Sequence, residues 1–335
     1  MTTFKEIRGT TIEVVSSDPA NPELGQIWYN SSSGTLKGYL LANVNAWASG
    51  GALNTARYGI GAAGTQTATI GFGGGYPIVG ASEAYNGTSW TSTPSINTTR
   101  YTMGGAGTQT AALGIGGSIP SFAASTAVEF WNGTSWTNNP SLGTGRSQTP
   151  QCCGTNSAAM AAGGGNPTPV AITTVENWNG TSWTAGTALN TALMQGMAIG
   201  TQTANIVFGG TTSTGSPAVT AVTQSWNGSS WTTVSGGNMN SSRYQVGAAG
   251  TQTAGLAFGG GAINTDTVSA ATESWNGSVW TSNPNSLASA RNSGGSAGSQ
   301  TAAIYFGGNL QPGASVTSTE EWTGQALQTK TITVS

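Results

Sequence analysis

Three features of the 335-residue sequence predict an all-β fold, a six-bladed β-propeller. Thr-Gln-Thr-Ala recurs at Thr65, Thr108, Thr201 and Thr251, with variants Thr155-Asn-Ser-Ala and Ser299-Gln-Thr-Ala, so one unit returns six times at a period of 43 to 50 residues. A short apolar run ending in Gly-Gly follows each copy, at Gly74, Gly117, Gly164, Gly210, Gly260 and Gly308. Beyond a variable stretch, two aromatics five residues apart flank an Asn-Gly in five of the six units.

Each unit supplies four short strands. The first is rich in Gly and Ala (Arg57 to Gly64), which suits the crowded centre of a ring of sheets, and the second alternates apolar residues (Ala68 to Phe72). The third carries Glu-x-aromatic at Glu83/Tyr85, Glu129/Trp131, Glu176/Trp178, Glu273/Trp275 and Glu320/Trp322, with Gln224/Trp226 as the exception. The fourth carries a second Trp, at Trp90, Trp136, Trp183, Trp231 and Trp280. Asn-Gly between them is a hairpin signal, because Gly accepts the positive φ of a tight turn. The last unit has Trp322 but no second Trp. Trp47 lies ten residues before Arg57, the spacing that also separates Trp90 from Arg100, so the strand around Trp47 is expected to complete that unit and close the ring. The domains expected are residues 1–42, an N-terminal segment; 43–324, the propeller; and 325–335, a C-terminal strand.

A net charge of −2 over only 6% charged residues leaves no basic stripe for a phosphate backbone, so nucleic acid is not an expected partner. No stretch approaches the length of about 20 apolar residues that spans a bilayer, so membrane insertion is not expected either. The residues after Met1 lack a signal peptide's apolar core, so the expected product is soluble and not exported by that route. His is absent and the two cysteines, Cys152 and Cys153, are adjacent, which removes most catalytic constellations and spaced metal sites. No cofactor, no metal and no catalytic residue is expected.

The Gly-Gly and spaced aromatics in a repeat of this length resemble kelch propellers over residues 43–324. That family includes the copper enzyme galactose oxidase, whose metal site needs histidines; the resemblance here implies the fold and not that chemistry. Phe4-Lys-Glu-Ile-Arg8, Gly25-Gln-Ile-Trp-Tyr-Asn30 and Gly34-Thr-Leu-Lys37, followed by Thr-Gln-Thr-Ala units, resemble kelch-like virion and tail-fibre-associated proteins of tailed bacteriophages, including those of marine cyanobacteria. The resemblance implies a short N-terminal β-hairpin, roughly Gly25 to Lys37.

Arg57, Arg100, Arg146, Arg243 and Arg291 recur once per unit, and the fourth unit has Leu193 in that column just where Gln224 replaces the glutamate. Joint loss predicts partners: buried, bidentate pairs Arg57 with Glu83, Arg100 with Glu129, Arg146 with Glu176, Arg243 with Glu273 and Arg291 with Glu320. Repeat tryptophans read as packing. Trp28, outside the repeat, is a candidate contact with a partner or another copy, together with Phe4, Ile7, Ile27 and Tyr29. The loops after Gly-Gly vary while the Thr-Gln-Thr and Asn-Gly turns crowd the other end, so Tyr76, Ile78, Phe122, Ile263, Asp266 and Leu310 form the candidate binding face. The Asn-x-Ser/Thr triplets read as turns.

The function expected is therefore a non-enzymatic virion component, in a tail fibre or other surface appendage, that presents a propeller for host-surface or protein contact. It is expected to be made in the host cytoplasm, with the virion, an extracellular particle, as its location. Its expected partners are other virion proteins or copies of itself, with a host-surface glycan or protein as ligand. A carbohydrate-binding lectin or adhesin is the alternative, and a polysaccharide-acting enzyme a weaker one.

Overall fold

The structure, a computed structural model, describes residues 12–75, 77–166, 170–212, 218–262, 267–311 and 313–332. Two compact units divide the chain: Ala46–Trp322, and a smaller one made of Met1–Asn45 with Thr323–Ser335. Among the described residues the strands form five four-stranded sheets, one six-stranded sheet and the ribbon Gly261–Ala262/Thr267–Val268, and there is no helix.

The first sheet is ordered Gly61–Gly64, Thr69–Phe72, Ser82–Tyr85, Trp90–Thr93, all antiparallel. The same order repeats from Gly104–Thr108, Gln151–Gly154, Met197–Gly200 and Gly247–Gly250. In the last sheet Gly295–Gly298 and Ala302–Phe306 are followed by the strand Thr319–Thr331 and then by Thr35–Gly50. Repeated four-stranded antiparallel sheets of this kind are those of a β-propeller.

The burial of each strand follows from its residues. The second strands Thr69-Ile-Gly-Phe72 and Asn205-Ile-Val-Phe208 are buried at every position, whereas the fourth strand Trp90-Thr-Ser-Thr93 buries only the Trp. A strand covered on both faces reads as a continuous apolar run, and an outer strand as one anchor followed by polar residues. The core lies between sheets: Ile70 and Phe72 of the first pack with Ala112, Trp131 and Trp136 of the second. Leu53, Ile60, Tyr85 and Trp90 pack likewise with Ile304 and Phe306. First strands approach closely; a Cβ on Gly105 would lie 2.0 Å from the Ala62 carbonyl oxygen, so only glycine fits there.

Two expected local features differ. Of Arg57 to Gly64 only Gly61–Gly64 is strand, because the chain turns through a left-handed Gly59 at φ +64°. The Asn-Gly hairpins are four-residue loops: Tyr85 pairs with Trp90, only Gly87 has positive φ, and the Asn86 side chain accepts the Thr88 and Ser89 N–H groups at 3.0 and 2.9 Å. Register places the two aromatics directly opposite, as in Trp131↔Trp136, with ring centroids 5.5 Å apart.

Trp47 occupies the outer strand beside the one holding Trp322, at 5.4 Å between rings. It makes the contacts of a second-column Trp. Its ring lies 4.8 Å from Phe258 and its N–H donates to Thr272 Oγ1 at 2.9 Å, both in the preceding sheet. Trp90 does the same with Phe306 at 4.5 Å and Thr319 at 3.0 Å. Trp280 does so with Phe208 at 4.7 Å and Thr223 at 3.0 Å.

In the smaller unit Ile27–Asn30 and Thr35–Gly38 form a hairpin, Glu13–Val15 pairs parallel with its first strand, and the Ile332 N–H bonds the Leu36 carbonyl at 2.8 Å. Asp18 organises it, accepting from Trp28 Nε1 (3.0 Å), Asn30 Nδ2 (2.7 Å) and Lys37 Nζ (2.7 Å). These donors, Lys37 foremost, hold the Asp18 carboxyl down at about 2.

Candidate functional site

The repeat arginines and glutamates meet inside the sheets. Nitrogen to oxygen distances are 3.1 Å for Arg57–Glu83, 2.9 Å for Arg100–Glu129 and Arg146–Glu176, and 2.6 Å for Arg243–Glu273; Arg291 pairs with Glu320. All ten side chains are buried. The pairs are not bidentate. One carboxylate oxygen faces the guanidinium and the other accepts a backbone N–H from the incoming connection, as Glu129 does from Asn97 at 2.6 Å. The guanidinium turns its second nitrogen to carbonyls of the Gly-Gly corner, Arg146 Nη1 reaching Gly163 at 2.7 Å and Thr174 at 2.8 Å. Burial lowers the pKa of Arg57, Arg100 and Arg243 while the facing glutamate opposes the shift. In the fourth sheet Leu193 is fully buried, and Gln224 accepts the Thr191 N–H at 3.0 Å and donates to its carbonyl at 3.2 Å. These residues clamp backbone.

A second set of residues, absent from the sequence-based expectations, joins one sheet to the next. The Gln of Thr-Gln-Thr-Ala donates to two carbonyls of the preceding sheet: Gln109 to Thr69 and Tyr85, Gln202 to Ala159 and Trp178, Gln300 to Gly255 and Trp275. Gln66 reaches Ala303 and Trp322 in the same way. At the other end, the second Gly of each Gly-Gly donates to the carbonyl of the next Arg or Leu, as in Gly74 to Arg100 at 2.9 Å, and Gly308 donates to Arg57 at 2.9 Å. The constancy of the Gln was the available signal for this latch.

Around the mouth of the central cavity, about 170 Å³ in volume and lined by the first strands, the residue two beyond each Arg or Leu has positive φ. These are Gly59, Thr102, Gln148, Gln195, Gln245 and Ser293. Their backbones bond in sequence: Thr102 N to Gly59 O (2.7 Å), Gln195 N to Gln148 O (2.8 Å), Gln245 N to Gln195 O (2.7 Å), Ser293 N to Gln245 O (3.0 Å) and Gly59 N to Ser293 O (2.6 Å). Thr149 N bonds Thr102 O at 3.0 Å, completing the set.

The antiparallel order puts the loops after Gly-Gly at this same end. Phe122 is 60% exposed with φ +63°, its ring 6.1 Å from Tyr101, which lies 6.4 Å from Tyr58. Ile78 is half-buried beside Gly75 and Tyr101, and Leu310 is half-buried on the turn that follows the last Gly-Gly. Tyr76, Ile263 and Asp266 lie outside the described residues, as do Phe4 and Ile7. Trp28 corrects an expectation: it is completely buried, its N–H held by Asp18, so it packs the smaller unit and offers no contact surface, while Tyr29 is exposed and Ile27 half-buried. Cys152 and Cys153 are free thiols on a first strand; burial pushes Cys152 up to about 12 and raises Cys153 as well, so neither is a ready nucleophile.

No protein-family model matches the chain, and no curated protein matches it in sequence. Among solved structures it resembles YjhT, a β-propeller-like protein, at a TM-score of 0.67 over 83% of this chain and 99% of that one, with 13% identity. The likeness gives the class, a β-propeller, and at that identity nothing more.

Proposed function

We propose that this chain is a six-bladed propeller of the kelch type, closed by the N-terminal strand around Trp47, and that it serves as a non-enzymatic virion protein of a tail fibre or surface appendage. The observation that carries this reading is where the charge goes. Within Ala46–Trp322 the described charged residues are the five Arg–Glu pairs and Glu321, and Glu321 accepts the Tyr85 hydroxyl at 2.7 Å. These described charged groups are committed to internal pairs and to holding the fold, which suits a rigid presenting body. Closure is supported by Gln66 and Gly308, which bond the last sheet to the first. The virion role rests on the resemblance of Phe4–Arg8, Gly25–Asn30 and Gly34–Lys37 to phage fibre segments, with residues 1–42 attaching the protein to other virion proteins and the propeller turned towards the host. A mass-spectrometric inventory of purified virions, with binding of the labelled full chain to host cells, tests it. Peptides of this chain at structural abundance are expected; their absence from particles contradicts the virion role.

A further inference from the structure

We infer that the end of the propeller bearing the Gly-Gly corners binds a neutral glycan, one hexose stacked on Phe122 beside Tyr101 and the next held by the uncharged side chains at the channel mouth. This rests on the proposed presenting role and names the ligand of that surface. The first ground is strain. A bulky residue in the left-handed region is a backbone outlier, and a residue as exposed as Phe122 recovers little of that cost by packing. Glycine would adopt this turn freely, so the fold does not ask for an aromatic there. Strain is also concentrated: apart from Asn45, every described non-glycine residue of positive φ lies at this end.

The second ground is chemical complementarity. Phe122, Tyr101 and Tyr58 form a continuous aromatic ledge with successive rings edge to face at 6.1 and 6.4 Å. One residue further on, the mouth carries the amide of Gln245 and the hydroxyl of Ser293, with the amides of Gln148 and Gln195 beside them, Gln195 Nε2 donating to Gln148 Oε1 at 2.6 Å and leaving the Gln148 amino group free to donate; all four side chains are half-exposed. A pyranose has an apolar C–H face, which an aromatic ring covers, and a rim of neutral hydroxyls, which amides and hydroxyls satisfy as both donors and acceptors. An anionic ligand would lose its hydration here without gaining a counter-ion, since the propeller's described arginines are all paired and buried.

The test uses the full chain, fluorescently labelled, on an array of neutral hexose oligosaccharides and of uronic acid- or sulfate-bearing glycans, in parallel with adhesion to host cells. Phe122→Gly is compared with wild type and with Val279→Ala, an exposed site on an Asn-Gly turn at the opposite end. Binding to neutral glycans is expected. Phe122→Gly should lower it at least tenfold while the melting temperature stays level or rises, because the substitution relieves strain; Val279→Ala should change neither. Preference for anionic glycans, or undiminished binding by Phe122→Gly, overturns the inference. Cell adhesion with a blank array overturns it while leaving the presenting role intact, and loss of both defeats the two readings together.

Discussion

At Arg100 a full positive charge sits in the interior, and what makes this tolerable is the number of partners converging on it. Its guanidinium faces Glu129 at 2.9 Å and also bonds the Gly116 and Ala127 carbonyls, while the spare carboxylate oxygen takes the Asn97 N–H. Removing one member leaves the other charge buried and unpaired, so Arg100→Leu should cost about 3 to 5 kcal/mol in denaturant melts. Arg100→Leu with Glu129→Gln copies the fourth sheet, where Leu193 and Gln224 coexist, and should recover part of that loss; strict additivity of the two changes would contradict the coupling. The sequence revealed this pairing through the joint exception at Leu193 and Gln224. It did not reveal the single-oxygen geometry, because the competing donor is a backbone N–H that no side-chain pattern announces. Trp28 was misread for a related reason. Its burial depends on Asp18, ten residues away, and an isolated Trp carries no mark of which acceptor will hold it.

Among the elements, the sheets were legible because one unit is written six times and each strand type has its own burial pattern. What was not legible is how sheets are joined. The Gln in Thr-Gln-Thr-Ala reads as a turn residue, yet Gln109 spans to the Thr69 and Tyr85 carbonyls of the preceding sheet. Gln109→Ala should therefore destabilise by about 1 to 3 kcal/mol, since two carbonyls lose their donor in a half-buried seam. The third unit has the shorter Asn156 in this column. Asn156→Gln should restore a latch towards Ala112 and Trp131 and raise the melting temperature; a fall would show that this seam is spaced differently. The positive-φ positions at the channel mouth were equally hidden, because Thr102, Gln148, Gln195, Gln245 and Ser293 are not residues that announce a left-handed turn, and only Gly59 does. The ledge was half legible: Phe122 stands out in its variable loop, whereas nothing in the sequence marks Tyr58 and Tyr101, each next to a repeat arginine, as its neighbours.

For the whole molecule the central claim is that the chain's beginning completes its last sheet. Trp47 lies against Trp322 in its own sheet and against Phe258 and Thr272 in the preceding one, as Trp90 does with Tyr85, Phe306 and Thr319 and Trp280 with Trp275, Phe208 and Thr223. Without that strand the Thr319–Thr331 strand presents an open edge able to pair with another chain. Sedimentation and thermal melting of two truncations test this most directly: one lacking residues 1–45, which keeps Trp47, and one lacking residues 1–50, which does not. Both truncations uncover Thr323–Thr331, but only the second uncovers the part of the strand that holds Trp322, so the account predicts that the first preserves the propeller's melting transition and that the second melts at a lower temperature and self-associates more. A chain lacking residues 1–50 that remains monomeric with unchanged melting would contradict it.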